Sequence, residues 1–140
     1  MSDDYTPFAL VSDDNVLIRM DAARILEDAG FRVYEAGEVG EALAILEESH
    51  ASIQLLFTDV EMPPGELNGF DLARTCAKNW PDIAIVVSSG HLKPQPGDMP
   101  DGAVFIGKPF SADVVYDHLQ EIMPDDIMPE QLKKAAKRES

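Results

Sequence analysis

The 140-residue chain has one cysteine, Cys76, and no run approaching 18 consecutive apolar residues. A single thiol excludes an internal disulfide and a multi-thiolate zinc site, and it suits a reducing compartment. Without a long apolar run there is no candidate for a membrane-spanning helix. The start, Met1-Ser2-Asp3-Asp4, is acidic where an export signal is basic, so a cytoplasmic location is expected. Basic residues are also scarce: 11 Lys and Arg stand against 26 Asp and Glu, a net charge of −15. Phosphate backbones attract cationic surfaces, so nucleic acid is not the expected ligand.

What is present suits one domain. A chain of this size, 45% hydrophobic, can bury roughly two thirds of its unfolded surface in a single core. The acidic excess lies entirely within residues 1–123, which hold 22 acidic and 7 basic side chains; residues 124–140 hold four of each. A domain over 1–123 is therefore expected, followed by a tail over 124–140 that is partly helical or disordered. Pro129 could start a short helix with Glu130 and Lys134 paired four residues apart. Its apolar content is slight (Leu132, Ala135, Ala136) and predicts fraying. Lys133, Lys134, Lys137 and Arg138 leave open a basic docking role.

Apolar runs alternate with helical patterns along the chain. Phe8–Ser12, Arg32–Glu35, Ile53–Thr58, Ile83–Ser88 and Ala103–Ile106 read as strands. Between them, Val16, Met20, Ala23 and Leu26 repeat at a helical period and end at Gly30; Glu41–Glu48, Leu67–Lys78 and Ala112–Met123 also read as helices. Such an order implies an α/β fold with a doubly wound parallel sheet, whose strands, covered on both faces, are continuously apolar. One crossover departs from this. Pro94, Pro96, Gly97 and Pro100 crowd the interval between Gly90 and Gly102, so a loop with at most a short turn is expected in place of a helix.

Ligands of such sheets sit beyond the carboxyl ends of the strands. There the strands end on Asp13 and Asp14, Asp59, Ser89 and Lys108. Alone, Asp13-Asp14 reads equally as a solvated turn or helix cap, and Asp59 as a helix cap. Together, converging carboxylates repel by about 4 kcal/mol per pair at 4 Å and an effective dielectric of 20, and need a cation or a proton. Hard oxygen ligands at an open edge favour Mg2+. With a lysine and a hydroxyl opposite, the set suits phosphoryl transfer to a carboxylate.

Asp13-Asp14, the segment Leu55-Leu56-Phe57-Thr58-Asp59-Val60-Glu61-Met62-Pro63, Ser88-Ser89-Gly90 and Gly107-Lys108-Pro109-Phe110 resemble the receiver domain of two-component response regulators. The resemblance runs from about Phe8 to Met123. It implies a five-stranded flavodoxin-like sheet in order 2-1-3-4-5, with the fourth helix short or irregular here. By the same resemblance Asp59 is the phospho-acceptor. Asp14, Asp59 and the Glu61 backbone carbonyl bind Mg2+, Asp13 acts through a metal-bound water, and Lys108 pairs with Asp59. Ser89 and Phe105 act as the switch, and the Lys108-Pro109 bond is cis. The sequence departs from the family in a loop after Met62 about two residues longer than usual, and in the shortened Gly90–Gly102 segment. Gly90 also stands where alanine is usual, and Glu61 and His91 occupy positions that tune hydrolysis.

The expected protein is a stand-alone receiver, a phospho-acceptor rather than an enzyme. Its implied partners are a histidine kinase or histidine phosphotransfer protein and an unknown downstream protein, without nucleic acid or membrane, as a monomer or weak dimer. Two other readings stay open: a Mg2+-dependent phosphohydrolase with an aspartyl nucleophile, distinguished by multiple turnover, and a binding module that never takes phosphate, indifferent to Asp59→Asn.

Overall fold

Five short segments form the strands of one sheet, the three central ones apolar and almost wholly buried, the two edge strands only partly covered. In the computed structural model, which describes residues 6–62 and 67–138 and side chains as far as residue 134, these are β1 (Phe8–Ser12), β2 (Arg32–Ala36), β3 (Ile53–Asp59), β4 (Ala84–Ser89) and β5 (Val104–Gly107). The helices are α1 (Val16–Asp28), α2 (Val39–Ser49), α3 (Gly69–Asn79), α4 (Ala112–Ile122) and α5 (Glu130–Arg138). All four strand pairings are parallel, and the order is β2-β1-β3-β4-β5. The expected order 2-1-3-4-5 is therefore observed. Residues 63–66, within the lengthened loop, lie outside the described residues.

Successive strand residues face opposite layers. Leu10, Leu56 and Val87 point to the side covered by α2 and α3, where Leu46, Leu72 and Cys76 meet them. Ala9, Val11, Phe57 and Val86 point to the other side, where Leu26 of α1 and Val115 and Leu119 of α4 close the second core. Cys76 is fully buried, as its place on a helical face predicts, and burial pushes its thiol up to about 12. Between β4 and β5 there is no helix, in agreement with the proline content of that stretch. The loop is tied down instead by Arg74 of α3, whose Nη1 donates to the Asp98 carbonyl at 2.6 Å.

One helical reading needs correction. Val16 and Met20, expected on the core face of α1, are 54% and 56% exposed; Ala22, Ala23 and Leu26 carry that face. The first turn of α1 stands at the carboxyl edge of the sheet, past the strands that could cover it. The tail carries a short helix after Pro129, α5. Leu132 is fully buried and Met128 nearly so, both against the core beneath α1 and α4. Gln120 donates to the Leu132 carbonyl at 2.9 Å, and Glu130 pairs with Lys133 at 3.6 Å rather than with Lys134. A side chain on Gly30 would collide with Pro129 and Gln131, so the seat of α5 exists because position 30 has none. One buried leucine anchors a helix that its average composition does not. Leu132→Ala should cost about 2–3 kcal/mol, on the order of 10 °C in melting temperature. A shift of only a degree or two by calorimetry would show that α5 adds little.

Trp80, at the amino edge of the sheet, stacks on His50 with ring centroids 5.6 Å apart, far along the strands from the acidic edge. Among the described residues no helix is long and apolar enough to cross a membrane.

Candidate functional site

The carboxyl edge gathers the polar residues because each follows directly on a buried strand. Asp59 is the last residue of β3, Ser89 the last of β4, and Asp13 and Asp14 follow β1. Asp13, Asp14 and Asp59 each offer a carboxylate oxygen within 4.8 Å of the others. Asp13 and Asp59 are buried and Asp14 is exposed. Lys108, just past β5, reaches both buried acids: its Nζ lies 2.9 Å from Asp13 Oδ2 and 3.0 Å from Asp59 Oδ1. The Lys108 amide donates to the Ser89 carbonyl at 3.0 Å, and the Lys108-Pro109 bond is cis.

Burial lifts the Asp59 carboxyl above its ordinary range. Lys108 opposes the rise, while the charges of Asp13 and Asp14 add to it. Burial alone would lower the Lys108 ammonium, but its bonds to Asp13 and Asp59 outweigh that and raise it. The site is thus three acids too close to coexist unaided, with one fixed cation serving two of them. Three hard oxygens at an accessible edge fit a divalent cation that keeps some of its waters.

The backbone around Asp59 is fixed by close approach. Gly69, first residue of α3, donates to the Val60 carbonyl at 2.8 Å, and a Cβ there would lie 1.8 Å from the Asp59 carbonyl oxygen. Asn68 and Asp71 form a reciprocal cap that starts α3 at this point. On the neighbouring strand the Ser12 hydroxyl donates to Met62 Sδ at 3.0 Å, holding the chain just past the exposed Glu61.

Ser89 Oγ accepts from the amides of His91 and Leu92, at 3.2 and 3.0 Å. Its own hydroxyl proton is left to donate elsewhere. The adjacent Ser88 hydroxyl is buried without a partner among the described residues. Phe105 is half-buried against the α2–α3 side of the core. His91 is exposed, and with Lys108, Phe110, Ile18 and Asp21 it borders a cavity of about 450 Å³ next to the acid cluster. The structure therefore brings Asp13, Asp14, Asp59 and Lys108 together. Ser89 stands at the adjoining strand end, and Phe105 lies apart on the core.

Two participants escape sequence reading. Arg19 donates to the Asp13 carbonyl at 2.9 Å, and Gly69 allows the close approach to Asp59. No local spacing marks either.

The family model of the response regulator receiver domain matches residues 9–120. The chain is 36% identical over 107 residues to the sensor kinase CckA of Brucella abortus (strain 2308), covering 73% of this chain and 11% of the kinase. It is 35% identical over 115 residues to the C4-dicarboxylate transport transcriptional regulatory protein DctD of Rhizobium meliloti (strain 1021), covering 76% of this chain and 23% of that protein. The chain thus spans less than a quarter of the length of these curated relatives. Among solved structures, the receiver domain of the hybrid histidine kinase CckA superposes with a TM-score of 0.70 at 28% identity, covering 83% of this chain and 98% of that one. A CheY-like receiver domain protein from Methanospirillum hungatei JF-1 has the same fold, with a TM-score of 0.72 at 22% identity, covering 95% and 98%.

Proposed function

The chain belongs to the response regulator receiver domain family, and from that premise we propose that Asp59 is the side chain that takes the phosphoryl group. The observation that carries this reading is the contact of one ammonium with two buried carboxylates, Asp13 and Asp59, at 2.9 and 3.0 Å, beside the open Asp14. The donor is the phosphohistidine of a histidine kinase or histidine phosphotransfer protein. An Asp59 carboxylate oxygen forms the new bond to phosphorus as the bond from the histidine nitrogen breaks, and the imidazole keeps that electron pair.

Asp14, Asp59 and the Glu61 carbonyl would hold Mg2+, with Asp13 contacting it through water. When bound, that ion supplies charge neutralisation and orientation for the transferring oxygens. Lys108 holds Asp59 in place beforehand and offers its ammonium to a phosphoryl oxygen afterward. Ser89, whose hydroxyl proton is uncommitted, donates to another. In this reading the protein is no turnover enzyme. It is a cytoplasmic acceptor, monomeric or weakly dimeric, with residues 1–123 as the receiver unit and residues 124–140 as an appended segment. It signals by contact with a downstream protein.

The test is intact-mass measurement of the full chain incubated with a small phosphodonor and Mg2+. One phosphoryl increment is expected in the wild type and none in Asp59→Asn. An increment that survives the substitution would move the acceptor elsewhere, and continued release of phosphate from small esters would favour a hydrolase.

Ser89 also links the site to the loop that replaces a helix, through the His91 and Leu92 amides. A shift of its oxygen toward a phosphoryl group pulls on the start of that loop, while Phe105 turns inward. Amide exchange over residues 91–101 should slow with a phosphate mimic bound; equal protection in both states would remove the coupling.

A further inference from the structure

One guanidinium outside the acid cluster supports the turn that presents Asp13 and Asp14. Arg19 lies on the second turn of α1, its side chain mostly buried. Its Nε donates to Glu35 Oε1 of β2 at 3.1 Å, and its Nη1 donates to the Asp13 carbonyl at 2.9 Å. The other polar groups of Asp13 are engaged as well. Its amide donates to the Ala36 carbonyl at 3.0 Å, Oδ1 accepts from the Asn15 amide at 2.9 Å, and Oδ2 accepts from Lys108. Position 37, just after β2, leaves room for the fork: a Cβ on Gly37 would sit 3.3 Å from Arg19 Nη1. The Gly37 amide is itself held by Glu41 Oε1 at 2.7 Å. The strand, the helix and the acid turn thus meet on one planar group, whose spaced donors a lysine does not reproduce.

Resting on the reading of the acid cluster as the Mg2+ site, we propose that Arg19 is a positioning residue for the cation, clamped between Glu35 and the Asp13 carbonyl so that the Asp13–Asp14 turn keeps the spacing from Asp59 that Mg2+ requires. Mg2+ demands near-ideal geometry and tolerates little drift among its ligands. Groups that orient metal ligands from behind commonly govern affinity by tenfold or more. The sign of the effect separates positioning from plain electrostatics. Removing a positive charge close to a cation site should tighten cation binding by Coulomb's law alone, whereas losing the clamp should weaken it.

The experiment is calorimetric titration of the full chain with MgCl2, alongside urea unfolding. Arg19→Met should weaken Mg2+ binding about tenfold, and Arg19→Lys nearly as much, because an ammonium cannot serve both acceptors. Gly37→Ala, which crowds Nη1 by a few tenths of an ångström, should weaken it about threefold. With a small phosphodonor, the Mg2+ concentration for half-maximal rate should rise in step, while the rate at saturating Mg2+ stays within about twofold of wild type. Unchanged or tighter binding in Arg19→Met overturns the proposal, as does a loss of rate that excess Mg2+ does not restore. Should Arg19→Met fail to fold, unchanged affinity in a folded Gly37→Ala overturns it equally. A wild type that takes up no Mg2+ overturns the reading of the cluster itself, and this inference with it.

Discussion

Asparagine in place of Asp59 is expected to raise the melting temperature near neutral pH while abolishing phosphoryl uptake. Burial is the main cause that lifts the Asp59 carboxyl above its ordinary value of 3.8, and Asp13 and Asp14 add to it against Lys108. A carboxyl with a raised pKa in the folded state holds more protons there than in the unfolded chain over the interval between the two values. The stability this confers is complete below 3.8 and is lost as pH rises through the folded value. Near neutrality the ionised Asp59 therefore works against folding. Asparagine removes the charge at nearly constant volume, and Lys108 retains Asp13 at 2.9 Å. The gap in melting temperature between variant and wild type should open from about pH 4 upward and level off above the folded pKa. Mg2+ should narrow it by stabilising the wild type through mass action. An asparagine variant less stable than wild type at about pH 7 without Mg2+ would contradict burial as the dominant cause.

Gly69→Ala should be among the most damaging single substitutions in the protein. The added methyl would stand 1.8 Å from the Asp59 carbonyl oxygen and 2.8 Å from Val60 Cα, both backbone atoms that no rotamer change can clear. Either α3 lifts from β3 or the end of β3 is displaced, and the Asn68–Asp71 cap and the Gly69–Val60 hydrogen bond go with it. A loss of about 3 kcal/mol or more is expected from overpacking against fixed backbone. Any folded fraction should carry Asp59 out of register with Asp13 and Lys108 and take up phosphate poorly. A urea midpoint within experimental error of wild type would show that the approach is looser than the structure has it.

The acid cluster was legible in the sequence because Asp13, Asp59 and Ser89 each close an apolar run that only a buried parallel strand explains. Parallel strands put those ends on one edge. The prolines at 94, 96 and 100 announced the missing helix for an equally local reason, since proline forbids the hydrogen bonds a helix needs. Arg19 was invisible because its contacts join α1 to the end of β2 and the turn after β1, elements whose proximity exists only after folding. Gly69 was invisible for the same reason. The docking of α5 was obscured by averaging. Its stretch is polar, and a single leucine meets a seat created by the absent side chain of Gly30, about a hundred positions earlier. Val16 and Met20 misled in the opposite way, because an apolar repeat marks a face but not whether the sheet extends far enough to cover it.

The ammonium shared by Asp13 and Asp59 has a consequence for the charge a mark would leave. Three carboxylates and one lysine leave two negative charges, which a divalent ion would render electroneutral. An acyl phosphate on Asp59 would carry one more negative charge than the carboxylate it replaces, and among the described residues Lys108 is the one cation paired with these acids. In the proposed reading the phosphorylated site would therefore carry one more negative charge at this edge than the resting one, a charge that a cationic partner surface would relieve.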